Sequence, residues 1–200
     1  MKLALLLCLG LLPAVHAEGP TKGERERAMS ELHATRKMFL DSIAGLSKAQ
    51  WEFKPDEKTW SVAECAEHIA ISEDTLFELV TKRVMGSPAA PEKRAEVAGK
   101  DEKVLTGFVD RSTKFQAPEV LRPTRRWANQ EELVQHFKES RDRTIRYIET
   151  TDDALRDHFT PHPAAGLMDG YQWLLAIAAH SNRHTLQILE VKQNPAFPKH

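Results

Sequence analysis

Apolar residues recur every three or four positions along four stretches of the chain, which is the spacing of one face of an amphipathic α-helix. The first stretch covers residues 23–46, and the second runs from residue 61 to near residue 85. The third covers residues 129–150, and the fourth covers residues 169–193. Start and stop signals flank these stretches, among them the Ser61-Val-Ala-Glu64 capping box, so the pattern predicts four helices.

The connection between the second and third predicted helices, residues 86–127, is long and rich in proline, glycine and charge. A connection of that length frees helix three from lying beside helix two as its antiparallel neighbour. Sustained alternation of apolar and polar residues is absent from the sequence, so strands are limited to short pieces, with residues 104–108 and 114–117 as candidates. The predicted fold class is all-α, a four-helix bundle with one long crossover.

The first 17 residues form a separate segment with one positive charge, at Lys2, followed by an apolar run. The run ends in small residues at Val15-His16-Ala17, which is typical of a secretory signal peptide cleaved before Glu18. It is shorter than the roughly 20 apolar residues that cross a bilayer. We therefore predict a signal peptide at residues 1–17 and a single domain at residues 18–200, exported to the periplasm or the extracellular space and not membrane-bound after cleavage.

Charge and cysteine content narrow the classes of partner. The chain has 28 basic and 29 acidic side chains, so it lacks the basic excess of a nucleic-acid-binding protein. Only Cys65 remains after signal cleavage, so stability must come from packing or a metal rather than an internal disulfide. Cys65 is interpreted as a small buried hydrophobe, with an intermolecular bridge as the alternative. The expected partner is a small-molecule substrate, and a homodimer is compatible with the sequence.

His180 and His184 are the strongest candidates for chemistry, because they lie four residues apart within the apolar stripe of the fourth predicted helix. Side chains at that spacing are about 5–6 Å apart, so both imidazoles can bind one divalent ion. The alternative is two core histidines, each hydrogen-bonded to a carbonyl or carboxylate oxygen. A third ligand is needed to decide between these interpretations.

His68, on the second predicted helix, is the leading candidate for that third ligand, although it lies on the flank of the apolar stripe. It could instead be solvated or pair with Glu64 one turn earlier. Three neutral imidazoles would leave at least one position open for water or substrate, as catalytic metal sites require. A fourth protein ligand would instead close the site, and the side chains to consider are Glu64, Cys65, Glu67 and Glu73.

Two charged residues lie within apolar helix faces, Arg36 on helix one and Glu73 on helix two. One interpretation is an ion pair between Arg36 and Glu73 that sets the helix register. The other places Glu73 near the metal as a hydrogen-bond acceptor or catalytic general base. The remaining mature histidines are interpreted as structural: His33, His136, His158 and His162. Of these, His162 could reach the open end of the bundle.

These residues together resemble the DinB-like family of metal-binding four-helix bundles. The resemblance is carried by Trp60-Ser61 with Glu64 and His68, by His180-x-x-Arg183-His184-x-x-Gln187, and by Arg36, Phe137, Arg141 and the His162-Pro163 turn. It covers nearly the whole mature chain. It implies that His68, His180 and His184 bind one divalent metal, with Zn, Ni and Fe not distinguished. It also implies an up-down-down-up helix order.

The resemblance implies two enzymatic activities. Some members of the family use the metal to activate a low-molecular-weight thiol such as bacillithiol or mycothiol, which implies a metal-dependent thiol transferase. Such thiols are cytosolic whereas this chain is predicted to be exported, so a hydrolase that uses metal-activated water is the rival. A third hypothesis is a non-catalytic binding or structural module that the ion stabilises. An open coordination position favours catalysis over that module.

Overall fold

The computed structural model describes residues 18–113 and 115–199. The predicted signal peptide, residues 1–17, lies outside the described residues. The α-helices in the described part are α1 (Lys22–Ile43), α2 (Lys48–Glu52), α3 (Val62–Glu78), α4 (Arg94–Val97), α5 (Asp101–Val109), α6 (Gln130–Thr150) and α7 (Gly170–Lys192). The four long helices α1, α3, α6 and α7 correspond to the four predicted from the sequence. None of the helices within the described ranges is both long and apolar enough to cross a membrane.

Local side-chain signals start the long helices where the sequence predicted. At the start of α3, the Glu64 N–H donates to Ser61 Oγ at 3.1 Å and the Ser61 N–H donates to Glu64 Oε2 at 2.8 Å, which completes the predicted capping box. The same reciprocal arrangement starts α1 and α7. Beyond Glu78, α3 continues as a π-helical turn, Leu79–Val84, so the whole helical segment ends close to the predicted residue 85.

The four long helices pack as a bundle in which α1 and α3 each lie against α6 and α7. Arg25, near the start of α1, donates to Ile148 O near the end of α6 at 2.9 Å, so these two helices are antiparallel. Lys192 at the end of α7 donates to Ser42 O near the end of α1 at 2.6 Å, so α1 and α7 are parallel. The start of α3 shares an apolar cluster with the end of α7, so α3 and α7 are antiparallel. The prediction of an all-α four-helix bundle is confirmed.

Two apolar clusters fill the bundle, one toward each end. One includes Leu32, Ile145 and Leu174, and the other includes Phe39 and Ile188. Between them along the helices lies a layer of buried polar side chains, which includes Thr35, His68, Glu73, Arg141 and Ser181. Because buried polar groups must be hydrogen-bonded or ligated, this layer is where the candidate chemistry lies.

The strand prediction for the long crossover is wrong. Residues 104–108 belong to α5, which packs on α7 and buries Val104 and Leu105, and residues 115–117 are irregular. The strands that form are β1 (Phe159–His162) and β2 (Gly166–Asp169), an antiparallel hairpin directly before α7. The turn between them ends at Gly166, whose φ of 72° lies in the left-handed region. Four-residue strands are too short to produce a period-two signal.

Candidate metal centre

Three histidines from two helices converge on one point. His68 Nε2 on α3 lies 3.2 Å from both His180 Nε2 and His184 Nε2 on α7. A zinc ion with four tetrahedral ligands at about 2.0–2.1 Å would hold neighbouring nitrogen ligands roughly 3.3 Å apart. The spacing of these three side chains, called here the histidine triad, is therefore the spacing that a shared cation requires.

Hydrogen bonds on the far side of two rings set their tautomers. His68 Nδ1 lies 2.7 Å from Leu121 O, and a carbonyl oxygen can only accept, so Nδ1 carries the proton. His184 Nδ1 lies 2.9 Å from Gln187 Oε1, which also accepts from Arg111 Nη1 at 3.3 Å. Because a guanidinium can only donate, this second contact sets the orientation of the Gln187 amide. Both Nε2 atoms therefore present lone pairs rather than protons.

This arrangement fits a divalent cation and fits no hydrogen bond within the triad. The Nε2 lone pairs of His68 and His184 face each other across 3.2 Å, a contact that is repulsive unless a positive ion lies between them. The bonds to Leu121 and Gln187 are those that metal-ligating histidines make through the nitrogen that does not bind the metal.

The surroundings keep the triad neutral, which is the protonation state that binds a metal. Burial lowers the pKa of His180 well below its usual range, and the neighbouring charges of His184 and His68 lower it further. Burial also lowers the pKa of His184 to about 3. For His68, burial lowers the pKa and the bond to Leu121 partly offsets that effect. At neutral pH all three Nε2 atoms are therefore available as ligands.

One aromatic ring packs beside the triad. The ring of Trp60 lies 4.9 Å from that of His68 and 6.1 Å from that of His184, measured between centroids. Trp60 immediately precedes the Ser61 cap of α3, so the capping box also places this ring. The indole excludes water from one side of the site.

Glu67 holds the long crossover against the metal centre. This buried carboxylate accepts from three consecutive backbone N–H groups, those of Thr124, Arg125 and Arg126, at 2.8, 2.9 and 3.0 Å. Arg125 has a φ of 62°, in the left-handed region where non-glycine residues are strained, and the carboxylate bonds offset that cost. Because Leu121 shortly precedes this loop, the anchor also keeps its carbonyl oxygen on His68. Sequence reasoning considered Glu67 only as a metal ligand and missed this contact.

The other side chains considered as a fourth ligand are engaged elsewhere. Glu64 bonds to the Ser61 N–H and to Lys54 Nζ at 2.9 Å. Cys65 is fully buried, and burial raises the pKa of its thiol, so it is the small hydrophobe that the sequence indicated. Among the residues that the structure describes, no carboxylate or thiolate joins the triad.

The predicted ion pair between Arg36 and Glu73 is wrong. Glu73 instead pairs with Arg141 on α6, through Nε to Oε1 at 2.8 Å and Nη2 to Oε2 at 2.7 Å. Arg36 pairs with Asp142. The physical reason is the helix arrangement, because α6 lies between α1 and α3 and supplies the nearer partner for each. Both Glu73 oxygens are occupied, and Oε1 also accepts from Thr144 Oγ1 at 3.0 Å. The role of Glu73 as a general base stays a prediction, and these contacts favour a structural role.

Arg141 connects all four long helices. Besides its bonds to Glu73 on α3, it donates to Leu32 O at 2.7 Å and Thr35 Oγ1 at 2.8 Å on α1. It also donates to Ser181 Oγ at 2.7 Å on α7, and Ser181 directly follows His180. This single guanidinium, itself fully buried, therefore holds α7 in register with α3 next to the triad.

Two of the remaining histidines make ordinary structural contacts. His136 Nε2 lies 2.6 Å from Asp74 Oδ2, which links α6 to α3. His158 Nδ1 donates to Ser87 O at 2.7 Å, which ties the segment before β1 to the start of the crossover. His33 is exposed.

Comparison with known proteins identifies the family. Residues 31–188 match the family described as the DinB superfamily. The uncharacterized protein YuaE of Bacillus subtilis (strain 168) is 24% identical over 165 residues, covering 82% of this chain and 97% of YuaE. The chain also resembles the structure of YfiT from Bacillus subtilis, described as a probable metal-dependent hydrolase with an unusual four-helix bundle topology. The TM-score is 0.53 at 15% identity, covering 88% of this chain and 90% of YfiT.

Because the family match spans most of its length, this chain belongs to the DinB superfamily. The family resemblance inferred from the histidine and tryptophan motifs is thus confirmed.

Proposed function

We propose that this protein is an exported hydrolase that uses a divalent metal bound by His68, His180 and His184 to act on a small-molecule substrate. The observation that carries the proposal is the convergence of three Nε2 donors with no fourth protein ligand in the described part of the chain. Structural metal sites are closed by four protein ligands, whereas catalytic sites keep a position open. The description of YfiT as a probable metal-dependent hydrolase supports the same activity.

The chain itself prepares this site for chemistry. A divalent ion bound there would lower the pKa of a coordinated water and polarise a substrate oxygen. Leu121 and Gln187 hold the His68 and His184 rings in the metal-binding tautomer, and Arg111 holds Gln187. Because all three ligands are neutral, none of the positive charge of the ion is cancelled by the protein.

Elemental analysis of the wild type beside His180→Ala tests the metal assignment. We expect about one divalent ion per chain in the wild type and loss of it in the variant, because two imidazoles hold an ion less tightly than three. His158→Ala is the matched control, since this histidine is half-buried and hydrogen-bonded but lies outside the triad. Equal metal content in wild type and His180→Ala would refute the proposal.

A cobalt-substituted protein distinguishes hydrolysis from thiol transfer. We expect hydrolysis of small ester or amide substrates that depends on the metal and is lost in His180→Ala. Thiol transfer would instead be indicated by a change in the visible spectrum on adding a thiol, with no hydrolysis. Metal uptake without either activity would favour the non-catalytic module.

Export is tested separately from chemistry. We expect the mature protein, recovered from the periplasm or the medium, to begin at Glu18 by N-terminal mass spectrometry. Recovery only from the cytosol with residues 1–17 attached would contradict the predicted signal peptide, and would restore the supply of a cytosolic thiol.

A further inference from the structure

His162 has a fixed tautomer that no contact yet described uses. Its Nδ1 accepts from the backbone N–H groups of Ala164 and Ala165, each at 3.1 Å, across the tip of the β1–β2 hairpin. An imidazole nitrogen that accepts two hydrogen bonds carries no proton, so in the neutral ring the proton is on Nε2. Within the described residues this Nε2–H makes no hydrogen bond, although the side chain is half-buried.

The hairpin places this ring near the metal centre. The His162 ring lies 4.8 Å from Phe108 of α5 and 5.3 Å from Trp173 of α7, between centroids. Trp173 and His180 are seven residues apart, about two helical turns, so they share one face of α7. Burial is the main cause of the low pKa of His180, and the nearby charge of His162 contributes to it. His162 therefore lies beside the triad, on the side toward the start of α7.

Ser72 supplies a second polar group without a partner on that side. It lies one turn after His68 on the same face of α3, and because α3 and α7 are antiparallel, this turn leads toward Trp173. Its hydroxyl is buried and has no hydrogen-bond partner among the described residues. Other buried helical hydroxyls donate to the carbonyl oxygen four residues earlier, as in Thr35, Thr144 and Thr185. Ser72 is an exception, and a buried hydroxyl without a partner is costly unless a ligand supplies one.

We propose that the His162 Nε2–H and the Ser72 hydroxyl form an oxygen subsite beside the metal centre, which donates hydrogen bonds to a carbonyl or carboxylate oxygen of the substrate. This rests on the proposed function, because the subsite acts on a ligand held at the triad. Both groups donate, so the subsite selects substrates that present an acceptor oxygen. The neighbouring rings of Phe108 and Trp173 limit water near His162 and so strengthen its bond to the ligand.

Acetate binding to the cobalt-substituted protein, followed by visible absorption, tests the subsite. His162→Asn is the informative variant, because its shorter side chain can still accept from the Ala164 and Ala165 N–H groups through an Asx turn but lacks the Nε2–H. We expect the acetate Kd to rise roughly 10-fold or more in His162→Asn, as for a lost hydrogen bond to a charged group, and to rise also in Ser72→Ala. His158→Asn is the control and should bind acetate as the wild type does.

The outcomes separate the two proposals. Failure of the wild type to take up cobalt would overturn the proposed function and the subsite with it. Full cobalt uptake with the same acetate Kd in wild type, His162→Asn and Ser72→Ala would overturn the subsite alone. Nitrogen-15 NMR of the histidine rings in the zinc-loaded wild type needs no variant. It should show His162 as the Nε2–H tautomer with a shift on adding acetate, and an Nδ1–H tautomer would overturn the subsite.

Discussion

Replacement of Arg141 by methionine should destabilise the bundle more than any surface change, because it removes one half of a fully buried ion pair. The substitution removes five hydrogen bonds of 2.7–2.8 Å that reach all four long helices. It leaves the Glu73 carboxylate, which is 0% exposed, with Thr144 as its remaining donor. Breaking a buried pair in this way costs about 3–5 kcal/mol, much of it the desolvation of the charge left behind.

Urea unfolding of the metal-free protein measures this cost without a contribution from metal binding. The double variant Arg141→Met with Glu73→Leu removes both charges, so its free energy of unfolding should lie within about 2 kcal/mol of the wild type. Arg36→Met is the control, because its pair with Asp142 is partly exposed and should contribute about 0–1 kcal/mol.

A loss in Arg141→Met no larger than that in Arg36→Met would refute the reasoning, as would a double variant less stable than the single one. A further consequence concerns the metal. Because Arg141 also bonds to Ser181, next to His180, the single variant should bind the metal more weakly even under conditions in which it is fully folded.

Two other predictions follow from the surroundings of the triad. Because burial lowers the pKa of all three histidines, protons compete weakly for the site; the metal should stay bound below pH 6.5 and be released as the pH falls toward 3. The same shifts stabilise the metal-free fold above pH 6.5 and progressively less as the pH falls; metal content after dialysis checks the first statement, and a release midpoint above pH 6.5 would contradict it. Glu67→Gln should cost about 1–2 kcal/mol and speed proteolysis near residues 124–126, because it removes the charge that binds three backbone N–H groups. The exposed Glu131→Gln is its control, and equal digestion of the two variants would argue against the anchor.

The sequence predicted the long helices because their signals are local. Apolar spacing and capping residues act within a few positions, so the predicted ends of α3, α6 and α7 lie close to the observed ones. The same periodicity placed His180 and His184 on one inner face. The crossover helix α5 and the hairpin were missed, because a short helix among glycines and prolines and two four-residue strands carry little periodic signal.

Partners across the bundle were beyond local reasoning. Arg36 and Glu73 both lie on inner faces, and only the order of helices around the bundle shows that each pairs with α6 instead. The anchoring of the crossover by Glu67 joins groups 57 to 59 residues apart, a contact that no spacing rule indicates.

For this protein the sequence by itself determined the helices, the all-α class and the pair of histidines on α7, since each depends on residues less than two turns apart. Only the tertiary structure decided that His68 completes the triad, which donors hold its ring and that no fourth ligand among the described residues closes the site. The physical reason is that a metal centre needs donor atoms a few ångströms apart from distant parts of the chain, and packing of the apolar faces alone sets that distance.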